Sequence, residues 1–504
     1  MQYNLYTQIL SRASDRDAPC IRTADGRVYT YGDVDTLSAR FANVLRSRGV
    51  VIGDRVAVQV EKSPEAIILY LACLRAGAAF LPLNPGYTTA EIEYFVDDAT
   101  PHIFVCDPQK RKDLAPICES LNVAHLLTLD ANGKGTLTEF AAKAETDYET
   151  AAVEATDLAA ILYTSGTTGR SKGAMLTHAN LASNARTLVE YWQFTESDVL
   201  LHALPIFHTH GLFVATNVVL TAGASMIFLP KFDIEEIRKN LPQATTLMGV
   251  PTFYTRLLNE EWLDRSSTDH MRLFISGSAP LLAETHKAWT ARTGHHILER
   301  YGMTETNMIS SNPYDGDRLP GSVGFPLPGV SVRITDPASG ALLQSGEVGM
   351  IEVKGPNVFK GYWRMPDKTR ADFREDGYFI TGDLGQFDEG GYLSIVGRNK
   401  DLVITGGYNV YPKELEEEID QIEGVVESAV IGVPHPDFGE GVTAVVVARK
   451  GSTLTEDSVI KALDARLAKY KLPKRVIFVE ELPRNTMAKV LKNELRKTYA
   501  DLYK

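Results

Sequence analysis

Tyr163-Thr-Ser-Gly-Thr-Thr-Gly-Arg-Ser-Lys-Gly173 gathers glycines, hydroxyl side chains and two cations into one short stretch. Glycines let successive backbone N–H groups converge on one anion, hydroxyls add donors, and a lysine brings a mobile positive charge. The composition therefore suits a polyphosphate. The spacing is not that of the common P-loop, in which glycine, lysine and a serine or threonine are consecutive. Here Lys172 is followed by Gly173, so the magnesium-ligating hydroxyl after the lysine is missing. Residues 158–163 read as a buried strand and 174–176 as another, which makes the stretch a tight connection between strands rather than an open surface loop.

On either side of it the pattern is that of an α/β layer structure. The first 150 or so residues alternate short apolar strands with helices. One helix is legible from its ends: Ser63 as N-cap, Pro64 at the first helical position, apolar Ile67, Ile68, Leu71 and Leu74, then Gly77 as the stop. Thr177 is placed to cap another, with Leu181, Leu188, Val189 and Trp192 on one face. Residues 130–136 read as a surface turn. From 330 to 396 short strands separated by Asp-Pro-Ala-Ser-Gly and Asp-Glu-Gly-Gly suggest hairpins. The last hundred or so residues carry helices over 412–422 and 456–467 among strands at 428–433, 442–448 and 475–479. That is a small α/β unit of its own, so the expected domains are 1–399 and 400–504.

Composition narrows the function. The chain has 504 residues, 44% hydrophobic and 23% charged, which is globular. A formal net charge of -12 argues against a nucleic-acid binder, since phosphate backbones demand a basic face. The most apolar segment, 66–83, is interrupted by Arg75, Gly77 and Pro82, so no membrane association is expected. The N-terminus lacks the basic region and apolar run of a secretory signal. Cys20, Cys73, Cys106 and Cys118 are widely separated and read as reduced thiols of a cytoplasmic protein.

The loop is joined downstream by Tyr301-Gly-Met-Thr-Glu305, Tyr378-Phe-Ile-Thr-Gly-Asp383, Gly397-Arg398 and Pro483-Arg-Asn-Thr-Met-Ala-Lys489. In this order and at these separations the motifs resemble those of the acyl- and aryl-CoA ligases, the AMP-forming synthetases, along essentially the whole chain. Within the family, Phe207-His208-Thr-His210-Gly211, the 249–256 segment ending in Arg256, Ser276-Gly-Ser278 and the 299–307 segment are most similar to malonyl-CoA synthetases. The resemblance implies a large N-terminal α/β domain of layered subdomains plus a hairpin region, followed by a small mobile α/β domain. It also implies ATP, Mg²⁺ and CoA as reactants or cofactors and malonate as the acid. Methylmalonate or another short acid is the alternative. A catalytically silent adenylate-binding protein is the rival class, disfavoured because a sensor need not keep both Glu305 and Lys489.

By the same resemblance, Thr164, Ser165, Gly166, Thr167, Thr168, Gly169 and Lys172 hold the outer phosphates of ATP. Tyr301, Gly302 and Met303 contribute to the nucleotide site, while Thr304 and Glu305 serve the α-phosphate and Glu305 the Mg²⁺. Asp383 accepts from the ribose hydroxyls, Arg398 donates to ribose or phosphate, and Lys489 bridges the attacking carboxylate and the α-phosphate. Arg256 and Ser278 are expected at the distal carboxylate with His208 beside them; a guanidinium can hold a carboxylate through two parallel hydrogen bonds. Gly406, Gly407 and Tyr408 face the pantetheine arm of CoA, and Lys400 is the hinge. His208-Thr-His210 does not carry the partners of a zinc site. One departure stands out: Ala488 occupies the place of the family's usual glycine before Lys489, which weakens the case for a lysine acetyltransferase acting there.

Overall fold

The computed structural model describes residues 3–13, 15–164, 171–406, 408–464, 466–485 and 489–503. Among them, two large sheets carry the first of two compact units, which comprises Met1–Pro320, Gly324–Ser331 and Lys354–Phe379. One sheet has seven strands in the order Gly361–Tyr362, Lys172–Thr177, Leu158–Thr164, Ala79–Pro82, Arg55–Gln59, Ile103–Cys106 and His125–Thr128. The last five of these run parallel, and Lys172–Thr177 is antiparallel to both its neighbours. The other has nine strands, with a parallel centre from Pro19–Thr23 to Leu298–Met303 and antiparallel edges.

Strand Arg55–Gln59 shows why these strands are apolar throughout. Val56 and Val58 enter the main core cluster, whereas Ala57 between them faces a second cluster with Phe95, Phe104 and Leu114. A strand covered on both faces has no polar side to alternate with. The main cluster reaches from one sheet to the other through helices Pro64–Ala76 and His178–Tyr191. The first helix has the ends that the sequence announces: the Ser63 side chain accepts from the Ala66 N–H, and Gly77 turns left-handed at φ 72°. Thr177 caps the second, with Asn180 closing a capping box.

The second compact unit comprises Gly321–Val323, Val332–Val353 and Ile380–Lys504. A four-stranded sheet of Ser331–Thr335, Gly349–Lys354, Phe379–Phe387 and Leu393–Arg398 bears out the expected hairpins. A five-stranded sheet follows, centred on Val425–His435 and Gly439–Ala448, with helices Pro412–Asp420 and Glu456–Asp464. One segment departs from the hairpin expectation. Residues 354–379 do not stay with the hairpins: Gly361–Tyr362 pairs with Lys172–Thr177, and Pro366–Ala371 is helical. No helix among the described residues is long and apolar enough to cross a membrane.

The nine-stranded sheet is tied at the start of its central strand Val199–His202 by the buried Asp198. Arg272 donates to it from Nε at 2.6 Å and from Nη2 at 2.8 Å, while the Thr195 N–H and the Thr245 hydroxyl supply two further bonds. Burial alone would raise this carboxyl; Arg272 and the other donors hold it below the ordinary carboxylate range. Arg272→Met should cost about 3 to 5 kcal/mol at neutral pH, because it strands a buried charge. The folded pKa is depressed, so the contribution is present above the ordinary carboxylate range and is lost as pH falls through the folded value. Chemical denaturation at a series of pH values checks this: the gap between wild type and variant should close in acid. A constant gap would show that Arg272 acts through packing.

Candidate active site

The ends of the phosphate-loop candidate are fixed by the ladder between its flanking strands. Thr164 pairs with Lys172 and Tyr163 with Gly173, so the connection is a hairpin whose ends lie side by side. The Tyr163 hydroxyl donates to Asp98, and the Tyr94 hydroxyl donates to the Ser171 carbonyl at 2.7 Å. Ser165, Gly166, Thr167, Thr168 and Gly169 lie outside the described residues. Lys172 places its ammonium 4.3 Å from the centre of the Tyr362 ring, and burial lowers its pKa. On its other side the Tyr362 hydroxyl donates to Glu305 Oε1 at 3.0 Å. Tyr362 thus links a loop cation to a buried carboxylate, and it is a member of this cluster that sequence patterning did not reveal.

Glu305 follows strand Leu298–Met303, whose hairpin with Asn307–Ser311 carries Tyr301, Gly302, Met303 and Thr304. The register slips between Tyr301 and Gly302, and a Cβ on Gly302 would lie 2.0 Å from the Asn307 carbonyl. Only glycine allows that approach. Glu305 is consequently turned inward at 6% exposure, while Thr304 stays partly exposed.

A second cluster lies in the same unit. His210, fully within the core, has Nδ1 3.1 Å from the Ser278 hydroxyl, and Ser278 itself is left-handed at φ 72°. The guanidinium of Arg300 lies against Gly277, where a Cβ would come within 2.3 Å of its central carbon. Arg300 is 4% exposed, and its Nε and Nη2 have no hydrogen-bond partner among the described residues. Burial pushes it down to about 9, so it is still a cation near neutral pH. Burial and then Arg300 push His208 down to about 4 and hold His210 well below the ordinary imidazole value, so both imidazoles are neutral. Nδ1 of His208 and Nε2 of His210 are also buried without a partner. The result is a buried polar cluster with one positive charge and several polar atoms that have no partner among the described residues. Arg256 is exposed near the end of helix Pro251–Leu257, its guanidinium 6.0 Å from the Phe232 ring in a hollow shared with Asp233 and Glu235. The cation acting on His208 is Arg300, which lies in the 299–307 segment and was not among the expected site residues.

In the second unit Asp383 and Arg398 are cross-strand partners, and Arg398 Nε donates to Asp383 Oδ1 at 2.7 Å. Lys400 is exposed in the single 3₁₀ turn Asn399–Asp401, and Arg496 holds Asp401 at 2.7 Å. The backbone of Lys489 is clasped by Asn485, whose side chain accepts the Lys489 N–H at 2.9 Å and whose own N–H donates to the Lys489 carbonyl at 2.9 Å. Although the residue keeps solvent contact, desolvation of its ammonium, then Arg398, push Lys489 down to about 8 against the pull of Asp383. Gly406 is left-handed at φ 57°, and Tyr408 is exposed and stacked on Tyr470 at 4.8 Å; Gly407 and Ala488 lie outside the described residues.

Known proteins share both units. A family model described as AMP-binding enzyme matches residues 10–363, and one described as AMP-binding enzyme C-terminal domain matches 414–489. A malonate–CoA ligase of Arabidopsis thaliana is 34% identical over 94% of this chain and 85% of its own length. A long-chain-fatty-acid–CoA ligase of Bacillus subtilis is also 34% identical, over 93% of this chain and 90% of its own. The crystal structure of ATP-bound MatB from Rhodopseudomonas palustris matches with a TM-score of 0.98 and 62% identity, each chain covered in full.

The depressed Lys489 gives a test that does not depend on turnover. Trace acetylation with acetic anhydride across a pH series, read by mass spectrometry, should give Lys489 a midpoint near 8, against about 10.4 for an ordinary exposed lysine. An ordinary midpoint would mean that the ammonium is not crowded by Arg398 and Lys400.

Proposed function

The chain belongs to the AMP-binding enzyme family, and on that premise we propose that it joins malonate to coenzyme A. It is an ATP-dependent acid–CoA ligase. A carboxylate is a poor electrophile, so its oxygen first attacks the α-phosphorus of ATP and pyrophosphate leaves; the CoA thiol then takes the acyl group and AMP leaves. Charge grows on the phosphoryl oxygens in the first step, which fixed donors stabilise because they need no reorganisation. In the proposed assignment Thr164, the 165–169 residues and Lys172 hold the outer phosphates, Thr304 the α-phosphate, Tyr301, Gly302 and Met303 the nucleotide, and Asp383 and Arg398 the ribose. Lys489 bridges carboxylate and phosphate, Lys400 is the hinge, and Gly406, Gly407 and Tyr408 meet the pantetheine arm. The Glu305 carboxylate, oriented by Tyr362, fits a hard cation that keeps several waters. Glu305 would hold Mg²⁺, which when bound offsets phosphate charge. The free, buried cysteines support a reducing, cytoplasmic setting, and an acetyltransferase acting on Lys489 stays the weakest of the proposed partners.

One observation carries the choice of acid: Arg300 is a buried cation with no counter-ion among the described residues. Overall identity is the same to a malonate ligase and to a fatty-acid ligase, so the reading rests on this cluster. A fatty acid would set a hydrocarbon tail against an unneutralised guanidinium, whereas the second carboxylate of malonate neutralises it. Neutral His208 and His210 and the Ser278 hydroxyl add donors without adding charge. Arg256, named from the family resemblance, is proposed as a further cation for the acid, and the two arginines can be tested against each other.

Arg300→Met should lower kcat/KM for malonate and methylmalonate by on the order of 10² to 10³, matching about 3 to 5 kcal/mol for an acid left without its partner. Acetate and propionate should change far less. The ligand-free variant should be no less stable than wild type, since an uncompensated charge has been removed. A fall for all four acids together with a lower Tm would make Arg300 structural. If Arg256→Ala alone moves the dicarboxylates, the distal carboxylate lies at Arg256 instead.

The two half-reactions separate the remaining roles. Lys489→Ala should slow adenylation by roughly 10² to 10³, the usual cost of one fixed transition-state donor, yet leave thioester formation from supplied acyl-adenylate nearly intact. Lys400→Pro, which fixes φ near about -65°, should let adenylate form and block thioester release. Equal damage to both steps in either variant, measured by rapid quench, would refute the assignment of that residue.

A further inference from the structure

We propose that Lys62 is a positioning residue for the acid site: its amine fixes the tautomer of His202, and His202 holds the Gly211 carbonyl in the π-helical turn that carries His210. The proposal rests on the reading above only in assigning the His208–His210 segment to the acid.

Lys62 lies just beyond strand Arg55–Gln59 in the seven-stranded sheet, yet its amine serves the nine-stranded one. Nζ is 3.0 Å from His202 Nδ1 and 2.8 Å from the His202 carbonyl, and it sits 4.2 Å from the centre of the Phe228 ring. His202 ends strand Val199–His202, is 1% exposed, and stands edge-on to Phe228 at 5.1 Å. Its other nitrogen, Nε2, is 2.9 Å from the Gly211 carbonyl and 3.3 Å from the Thr216 hydroxyl. A carbonyl only accepts, so Nε2 carries the hydrogen and Nδ1 is the bare nitrogen. Lys62 is therefore the donor in both of its contacts. Among the described residues no carboxylate pairs with it. Holding an amine away from water with no counter-ion is costly; here the two bonds to His202 are what it does.

The segment downstream is sensitive to this anchor. His210–Thr216 is a π-helix, a rare geometry found mostly at functional sites. Gly211 passes so close to Pro205 that a Cβ would lie 2.0 Å from its carbonyl oxygen, and the Thr216 hydroxyl donates to the same Gly211 carbonyl as His202. Without Lys62 the Nδ1–H tautomer becomes available, and then a lone pair of Nε2 faces the Gly211 oxygen. The turn shifts, and with it the His210 ring that faces Ser278 at 3.1 Å.

The test uses the full chain with ¹⁵N-labelled histidine, the His202 signal being assigned with His202→Gln. Wild type should show His202 as the Nε2–H tautomer. In Lys62→Met the signal should move toward a tautomer mixture, and kcat/KM for the acid should fall roughly 10-fold to 10²-fold, the scale of a misplaced reacting group, with KM for ATP little changed. An unmoved His202 signal overturns the proposal, and so does a moved signal with unchanged acid kinetics. A parallel fall in acid and ATP parameters, with a lower Tm, also overturns it in favour of a packing role. Since the tautomer is read without substrate, failure here is distinguishable from failure of the malonate assignment, which the acid panel on wild type reads.

Discussion

A buried guanidinium with two nitrogens that find no partner among the described residues is the constraint around which one polar cluster of the first unit is arranged. Arg300 sits on a strand of the nine-stranded sheet and is nearly fully buried. Burial already disfavours a charged imidazole at His208 and His210, and the Arg300 charge adds to that cost. Its bulk requires Gly277 to carry no side chain, and the next residue, Ser278, adopts a left-handed backbone that brings its hydroxyl to His210. Such a site is poor as a folding element and well suited to an anion.

The residues proposed for the nucleotide follow a different logic, since their charges already have partners within each unit: Lys172 over Tyr362 and Tyr362 on Glu305 in the first, Arg398 on Asp383 in the second. Each contact orients a group in advance. Burial and neighbouring cations then tune individual pKa values, Lys489 most of all. If the proposed assignment holds, acid recognition relies on one unmet charge and nucleotide recognition on several met ones.

Much of the fold was legible because local signals and packing agree. Ser63, Gly77 and Thr177 announce helix ends that form where expected. The Pro412 helix and the strands after it follow period and turn chemistry. What stayed hidden depends on contacts distant in sequence. Gly361–Tyr362 is too short to carry a period, and its pairing with residues 174 and 175 gives no local sign. Tyr362 was missed as a bridge for the same reason. Arg256 and Arg300 look alike as letters. Whether an arginine faces solvent or a sealed pocket depends on which strand its neighbours build, and the apolar run 297–298 before Arg300 was the one available hint.

The pairing of Gly361–Tyr362 with strand Lys172–Thr177 also sets an order on synthesis. As the chain leaves the ribosome, that strand has a partner on one side only, and its outer backbone edge stays open until residue 362 has emerged. By then the hairpin strands of 332–353 that belong to the second unit have already been made. The first unit is therefore finished out of sequence, and the bridge from Lys172 to Glu305 waits with it. A nascent chain stalled between these points would expose that strand's open edge to its neighbours on the same message.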